Sequence, residues 1–248
     1  MATLLYRELA VLQALETRAC RIFKLFSPQD VGNSAWALAK LLFEGDFFHA
    51  VAALELSSFP PQNLANTAWA FAMILLQEKP FMQSLAIAAM PRLAEYNSQH
   101  LAHLFWSFAS LSLTNRRLFD SLAAWSSLKV TSFNCQELAN STWACGKVAY
   151  LNEPLLLAIS TVLGKRDFKP QDHANLLWGF SKLSFVHLPA LTTLSSEAVS
   201  CIAEFNPQDL ANTAWASAKL LMRQQLVESL ATQAEQRTEE HLHKLSYG

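Results

Sequence analysis

Phe205-Asn206-Pro207-Gln208-Asp209-Leu210-Ala211-Asn212-Thr213-Ala214-Trp215-Ala216-Ser217-Ala218-Lys219-Leu220 is the stretch that decides the fold. The same pattern occurs six times, and the copies align on a tryptophan. These residues are Trp36, Trp69, Trp106, Trp143, Trp178 and Trp215. Successive tryptophans are 33–37 residues apart, and self-similarity at this period is typical of stacked helical hairpins. The sequence therefore predicts an all-α fold, a right-handed α-solenoid of about six helical-hairpin repeats of 33–37 residues. The handedness follows precedent among such arrays.

Each copy opens with a helix-start signal. Four copies have Ser or Asn at the N-cap, as Asn206 does here, where the side chain accepts hydrogen bonds from free backbone amides. Four copies have proline at the next position, as in Pro207, where a missing amide costs nothing. An apolar residue at the entry, such as Phe205, can close a hydrophobic staple. The first helix of each repeat, helix A, is predicted to run about 14 residues, for example from Pro207 to Leu221.

The whole chain is predicted to be one repeat domain, residues 1–248. Residues 1–25 are interpreted as a partial repeat that contributes one helix, and residues 26–222 hold six A helices with intervening second helices, B. Residues 223–248 are predicted to form a terminal B helix or cap. Connections of two to six residues would force helices A and B to lie antiparallel.

Composition narrows the function classes. The formal net charge is −1, so RNA binding would depend on where the cations lie and not on a general basic excess. The four cysteines are far apart and are interpreted as reduced thiols. No apolar run is long enough to cross a membrane. Glu8 and Glu16 interrupt the N-terminal segment, so it does not resemble a clear transit peptide and is expected to belong to the fold.

Catalytic motifs are missing from the sequence. Glycine is too scarce for a phosphate-binding loop, and no nucleophile elbow or zinc-protease motif occurs. His100 and His103 lie at i, i+3, but they replace the usual acid and asparagine of this repeat. We therefore expect no enzyme, no catalytic residue, no metal site, no cofactor and no small-molecule substrate.

The line Pro-Gln-Asp-Leu-Ala-Asn-Thr-Ala-Trp-Ala-x-Ala-Lys-Leu resembles the octotricopeptide repeat of algal organelle proteins. It also resembles the helical repeats of FAST-kinase-type RNA regulators and of RNA-editing substrate-binding complex subunits. The resemblance covers residues 26–220. It implies an α-solenoid that binds RNA in a mitochondrion or chloroplast and acts in transcript processing, stability or translation. The Pro-Pro-Pro-Glu-Trp run of the green-algal repeat is absent, so a family recognition code would transfer poorly.

A helical wheel of the last copy predicts which side of helix A is free. Leu210, Ala214, Ser217, Ala218 and Leu221 fall on one arc, which Ala211 and Trp215 extend; this arc is predicted to pack. Asp209, Asn212, Thr213, Ala216 and Lys219 fall on the opposite arc, which is predicted to face a partner.

Three rows of the predicted free arc are candidates for RNA contact. Six residues before the tryptophan stand Asp30, Asn63, His100, Glu137, Asp172 and Asp209. Three residues before it stand Asn33, Asn66, His103, Asn140, Asn175 and Asn212. Four residues after it stand Lys40, Lys147, Lys182 and Lys219, with Met73 and Ser110 in the other two copies. An amide can pair with a base edge, and lysines in a row can follow phosphates.

Each of these rows has a structural interpretation as well. The asparagines could hydrogen bond between neighbouring helices, the acids could stabilise helix N-termini, and the lysines could be a solvated face. The small residue after each tryptophan could permit close approach of a ligand or of another helix. The tryptophans are expected in the core, with base stacking as the alternative.

The first functional hypothesis is a protein that binds single-stranded RNA, with about one nucleotide per A helix. The second is a protein-interaction scaffold that uses the same surface, the groove formed by the free arcs of the A helices. The near-neutral charge favours this hypothesis. The sequence leaves the RNA target, the organelle and the oligomeric state open.

Overall fold

The computed structural model describes residues 2–220, with side chains from Leu9 onward. This part of the chain forms twelve α-helices and no strand. Six helices of 13 residues carry the tryptophans and are the A helices: α2 (Pro28–Lys40), α4 (Pro61–Met73), α6 (Ser98–Ser110), α8 (Cys135–Lys147), α10 (Pro170–Lys182) and α12 (Pro207–Lys219). The helices that precede or follow them are α1 (Ala2–Arg21), α3 (Asp46–Ala52), α5 (Lys79–Ala89), α7 (Arg116–Leu128), α9 (Glu153–Ser160) and α11 (Leu188–Ser200).

The all-α prediction is confirmed for the described residues, and α1 forms where the sequence predicts the first helix. The predicted terminal helix near residues 223–243 lies outside them. No helix in residues 2–220 is both long and apolar enough to span a bilayer.

The predicted helix starts are confirmed. The side chains of Ser27, Asn97, Asn134 and Asn206 accept a hydrogen bond from the backbone amide three residues on. In three of these helices the acid at that third position accepts in return from the N-cap amide, which completes a capping box. The cap therefore satisfies two amides that would otherwise be orphaned.

The A helices end earlier than predicted, at 13 residues and not about 14. Two residues past the helix, five of them place a non-glycine residue in the left-handed region; these residues are Leu42, Leu75, Ser112, Ala149 and Ser184. The next amide then donates back into the helix, as Tyr150 N does to Cys145 O at 2.8 Å. This is the Schellman arrangement, which usually uses glycine. The sequence gives little sign of it because no glycine marks the position.

The fold divides into two compact units, residues 1–122 and 123–248. In the first unit, α4 lies between α2 and α6 and contacts both. In the second unit, α10 lies between α8 and α12 and contacts both. Each unit therefore contains three A helices in a row.

Small residues allow neighbouring A helices to approach closely. A Cβ built on Gly179 in α10 would lie 2.6 Å from Thr142 O in α8, so only glycine fits there. A Cβ on Gly146 would lie 3.0 Å from the Cα of Gly179. The residue after each tryptophan is buried in α4, α6, α8, α10 and α12. Its small size serves helix–helix contact, which is the structural interpretation of this row.

Aromatic side chains fill the space between A helices and the intervening helices. In the first unit, Phe48 of α3 contacts Phe71 of α4 edge to face with ring centroids 5.3 Å apart, and Phe71 stacks on Phe81 of α5 at 4.6 Å. Five of the six predicted staple residues are buried: Phe59, Tyr96, Phe133, Phe168 and Phe205. The core thus combines apolar residues of the A helices, the intervening helices and the loops that enter the A helices.

Arginine side chains link successive repeats through the staple carbonyls. Arg92 Nη1 donates to Phe59 O at 3.0 Å, across 33 residues of sequence. Arg166 donates in the same way to Phe133 O, also 33 residues back. In the second unit, His173 of α10 bonds through Nε2 to Glu197 Oε2 of α11 at 3.1 Å. These bonds fix the loops and intervening helices against the A helices.

Candidate nucleic-acid interface

The open side of each A helix carries the same four positions. We name these positions of the A helices the tryptophan stripe, and the four residues of one A helix a rung. In α4 it consists of Gln62, Asn66, Trp69 and Met73, which follow one another at intervals of four, three and four residues. Residues at this spacing lie on one side of a helix. All four side chains are exposed or half-buried, whereas the residues between them are largely buried. The same four positions are exposed or half-buried in all six A helices.

The tryptophans lie on this surface and not in the core, so the core prediction for them was wrong. Trp36 is 43% exposed and Trp215 is 44% exposed, and the other four are half-buried. A tryptophan ring is wide enough to cover the crevice between two A helices while leaving one edge in solvent. The wheel assigned this position to the packing arc because tryptophan is mostly apolar.

Tryptophans of neighbouring helices contact one another. In the first unit, the ring centroids of Trp36 and Trp69 are 6.3 Å apart, and those of Trp69 and Trp106 are 6.2 Å apart at an angle of 28°. In the second unit, Trp143 and Trp178 are 6.1 Å apart at 27°. Each unit therefore presents a row of near-parallel aromatic edges.

Lysine ammonium groups lie over these rings. Lys40 Nζ is 5.6 Å from the centroid of Trp36 and 5.3 Å from that of Trp69. Lys182 Nζ is 5.5 Å from the rings of both Trp178 and Trp215. These distances fall within the range of cation–π attraction. The contact holds each ammonium next to the aromatic row while the lysine stays exposed.

The asparagine row lies beside the tryptophans on the stripe. Asn33 is exposed, and Asn66, Asn140, Asn175 and Asn212 are half-buried. Among the described residues, no hydrogen bond or ion pair involves the side chains of Asn66, Asn140 or Asn175. Hydrogen bonding between neighbouring A helices therefore does not explain this row. The amides remain able to donate and accept at the surface.

Most of the row six residues before the tryptophan is buried or half-buried, which corrects the predicted free arc. Asn63, Asp172 and Asp209 are buried, and His100 and Glu137 are half-buried. Burial raises the pKa of Asp172 above its usual value. Only Asp30, on the first A helix, is exposed, and its hydrogen bond with the Ser27 side chain lowers its pKa. These acids cap their helices, which is the structural interpretation left open by the sequence.

Thr213 and Ala216 are also buried, although the wheel placed them on the free arc. The wheel gave helix A a single packing arc, as if only one neighbour covered it. In each unit the central A helix has an A helix on both sides as well as an intervening helix. Three neighbours leave only a narrow open stripe, and that stripe lies about a fifth of a turn from the predicted centre.

The stripe residues of helix α6 differ from those of the other A helices. His103 replaces the asparagine, is half-buried, and has its ring centroid 6.3 Å from that of Trp69. Burial, with a smaller contribution from His100, lowers the pKa of His103 to about 4. Burial also lowers the pKa of His100. Both rings are therefore neutral at physiological pH, and their buried Nδ1 atoms have no hydrogen-bond partner in the described chain.

Sequence reasoning missed the glutamine seven residues before each tryptophan. It is present in all six copies and is exposed in every one: Gln29, Gln62, Gln99, Gln136, Gln171 and Gln208. Its invariance and its distance of two helical turns from the tryptophan were visible in the sequence. The wheel of a single copy hid it because it lies at the very start of the helix.

The described residues contain no group of three His, Cys, Asp or Glu side chains placed to hold a metal ion. The four cysteines are free thiols, and burial raises the pKa of Cys145 to about 12. A buried neutral thiol of this kind is a packing residue.

The geometry defines an all-α protein whose repeated 13-residue helices present a tryptophan stripe. A family model described as RNA-editing substrate-binding complex 6 protein matches residues 49–243, and the chain belongs to that family. A comparison with curated proteins gave no match. The family match supports the part of the sequence resemblance that concerns RNA-editing substrate-binding complex subunits; the octotricopeptide part stays a prediction.

Proposed function

We propose that this protein is an α-solenoid of helical-hairpin repeats that binds single-stranded RNA along the tryptophan stripe and acts in organellar transcript processing. The observation that supports it most is that tryptophans of neighbouring A helices, exposed or half-buried at the surface, contact one another with lysine ammonium groups over their rings. The family to which the chain belongs is named for an RNA-editing substrate-binding complex, which agrees with an RNA ligand.

Unpaired bases would pack against the exposed part of the tryptophan rings, since every base has a flat aromatic face and base–aromatic stacking contributes on the order of 1–3 kcal/mol per base. The amides of the asparagine and glutamine rows would bond base edges or sugars, and the lysines would neutralise phosphates. A duplex hides its bases inside the stack, so the ligand is single-stranded.

The near-neutral net charge is compatible with this ligand because of where the charges lie. The four stripe positions hold Lys40, Lys147, Lys182 and Lys219 and no acidic residue on any A helix. The acids nearest to the stripe cap helix N-termini: Asp172 and Asp209 are buried, and Asp30 bonds to Ser27. The stripe is therefore locally positive on a protein of net charge −1.

Exchange of one exposed stripe tryptophan tests the proposal. We expect Trp36→Ala to weaken binding of a labelled single-stranded RNA by about 5- to 100-fold, because one stacking surface is lost. Trp36→Phe should retain most of the affinity. The measurement is fluorescence anisotropy on the full chain, with circular dichroism to show that each variant is folded.

Helix α7 offers a matched control. Lys129 Nζ lies 5.5 Å from the ring of Trp125, the same tryptophan–lysine pair four residues apart, but α7 is not an A helix. Trp125→Ala should leave the affinity for RNA unchanged. Equal losses from Trp36→Ala and Trp125→Ala, or RNA binding that neither variant affects, would refute the proposed face.

A groove in the first unit supports a second candidate function, a scaffold for a protein partner. It has a volume of about 480 Å³ and lies between α5 and the start of α7. Its wall combines cations, among them Lys79 and Arg117, with apolar side chains such as Met82 and Ile87, and Ile87 is 63% exposed. This combination suits an acidic, partly apolar peptide.

The double variant Lys79→Glu with Ile87→Ser tests the scaffold. It should abolish recovery of a protein partner from nuclease-treated extract while leaving RNA affinity unchanged. Recovery of the same partner by Trp36→Ala but not by the groove variant would assign the two functions to separate surfaces. Loss of the partner in Trp36→Ala alone would place the protein partner on the stripe instead.

A further inference from the structure

The rungs of the tryptophan stripe are nearly identical. Glutamine and tryptophan occupy their positions on all six A helices, and asparagine occupies its position on five of the six. Lysine occupies the fourth position on four of the six helices. The row six residues before the tryptophan varies more in chemistry, but Asn63, Asp172 and Asp209 are buried, and Asp30 is the only exposed member. This row therefore offers no series of open side chains that could read successive bases.

Identical side chains on successive A helices would select the same nucleotide at each helix. Helical-repeat proteins that read a mixed RNA sequence do so because the side chains at the reading positions differ from repeat to repeat. Here the exposed side chains repeat, so each rung prefers the same nucleotide as its neighbour. Within each unit, the ligand that satisfies the three rungs at once is a run of one base.

The chemistry of the rung favours adenine. Asparagine and glutamine offer a donor and an acceptor together, and on the N7 edge of the bases this pair matches the N6 amino group and N7 of adenine. The stripe carries no carboxylate, which would match the amino group of cytosine, and no arginine, which would match guanine. The lysines Lys40 and Lys182 lie over the tryptophan rings, which directs them along the aromatic row and toward phosphates. A purine also covers more of a tryptophan ring than a pyrimidine does.

The inference rests on the proposed RNA-binding function and specifies its ligand: the geometry points to a run of adenosines in single-stranded RNA as the preferred sequence of the tryptophan stripe. The three rungs of the second unit, with Asn140, Asn175 and Asn212, are uninterrupted. In the first unit the third rung carries His103 and Ser110 in place of the asparagine and lysine, so its preference for adenine is weaker there.

The experiment compares four labelled RNAs of about 12 nucleotides on the full chain: oligo(A), oligo(U), oligo(C) and an alternating sequence of A and C. We expect oligo(A) to bind at least about tenfold more tightly than each of the others, since a single matched amide–adenine pair provides this discrimination. In the variant Asn140→Ala with Asn175→Ala, the ratio of affinities for oligo(A) and oligo(C) should fall toward one, while affinity for oligo(C) changes little.

A matched control replaces amides that lie off the stripe. Gln13 on α1 and Gln83 on α5 are exposed, and Gln13→Ala with Gln83→Ala should keep the full preference for oligo(A). Equal affinity for all four RNAs would overturn the inference and leave RNA binding intact. Tighter binding of oligo(U) or oligo(C) would overturn the assignment to adenine. No binding of any RNA would overturn the proposed function itself.

Discussion

At the scale of the residue, tryptophan was the most difficult side chain to place. Its large apolar ring predicts burial, yet Trp36 and Trp215 are more than 40% exposed. The ring contacts the tryptophan of the neighbouring A helix and stays partly exposed, and partial burial suits a side chain with a large apolar surface and one polar indole N–H. The asparagine three residues earlier lies beside the open surface, because a short amide seldom enters a core without partners.

The histidine in the third rung gives a prediction about pH. His103 has its pKa lowered to about 4, so the unfolded chain, with an ordinary pKa of 6.5, binds a proton that the folded chain does not. Its contribution to stability is present above pH 6.5 and is lost as the pH falls toward 4. The difference between the folded and unfolded pKa values of His103 corresponds to roughly 3 kcal/mol in the free energy of unfolding, as an upper limit.

We expect His103→Asn to remove most of this acid destabilisation. Urea unfolding measured at pH 7 and pH 4.5 should show a smaller difference in free energy for the variant than for the unchanged protein. His49→Asn, at a histidine whose side chain is 63% exposed, is the control and should leave the difference as it was. An unchanged difference in His103→Asn would show that another group carries the pH dependence.

At the scale of the element, helix starts were predictable and helix ends were not. The N-cap, the proline and the acid are local signals, and each hydrogen bond involves residues three apart. The end depends on a left-handed residue that is leucine, serine or alanine in five A helices. A non-glycine residue there costs roughly 1–2 kcal/mol, so the tight turn into the next helix must be held by packing.

Glycine should relieve that cost. Ala149 has φ of 53° and is exposed, so Ala149→Gly should stabilise the protein by about 1 kcal/mol in chemical denaturation. Ala37→Gly, at an exposed position inside α2, should destabilise by about 0.5–1 kcal/mol, since glycine is unfavourable within a helix. A loss of stability in both variants would argue against strain at Ala149.

Two glycines in A helices should respond to alanine in opposite ways. Gly179→Ala places a Cβ 2.6 Å from Thr142 O and should destabilise by about 1–3 kcal/mol, because the helices must separate. At Gly32 the nearest atom to a new Cβ is Asn63 Cα at 3.4 Å, an ordinary contact. Gly32→Ala should therefore stabilise by roughly 0.5–1 kcal/mol through helix propensity, measured by thermal unfolding. Stabilisation by Gly179→Ala would contradict the close contact of α8 and α10.

At the scale of the whole molecule, net charge is a poor guide to a local surface. The chain has 19 basic and 20 acidic residues, yet the stripe positions of the A helices contain lysines and no acid. The distribution follows from capping, which draws acids into helix N-termini and leaves the lysines four residues beyond the tryptophans in solvent.

Salt dependence measures this local charge. If the four stripe lysines each neutralise one phosphate, the logarithm of RNA affinity should fall with the logarithm of salt concentration with a slope of roughly −3. Each Lys→Gln exchange at Lys147, Lys182 or Lys219 should reduce the slope by about 0.7. Changing the four lysines together to Glu should abolish binding.

Lys129→Gln, just after α7, is the control for the salt experiment and should leave the slope unchanged. A slope near zero for the unchanged protein would mean that phosphates do not contact the stripe lysines.

The sequence by itself determined the helical class, the positions of the A helices and their starts, because period and capping are properties of neighbours along the chain. It also placed the lysines and asparagines together, since residues at helical spacing share a side. Only the tertiary structure decided that Asp172, Asp209 and Thr213 are buried while the tryptophans and Gln62 are open. A helical wheel does not show how many helices pack around a given helix. In each unit, the neighbours on both sides of the central A helix reduce its free arc to a single stripe.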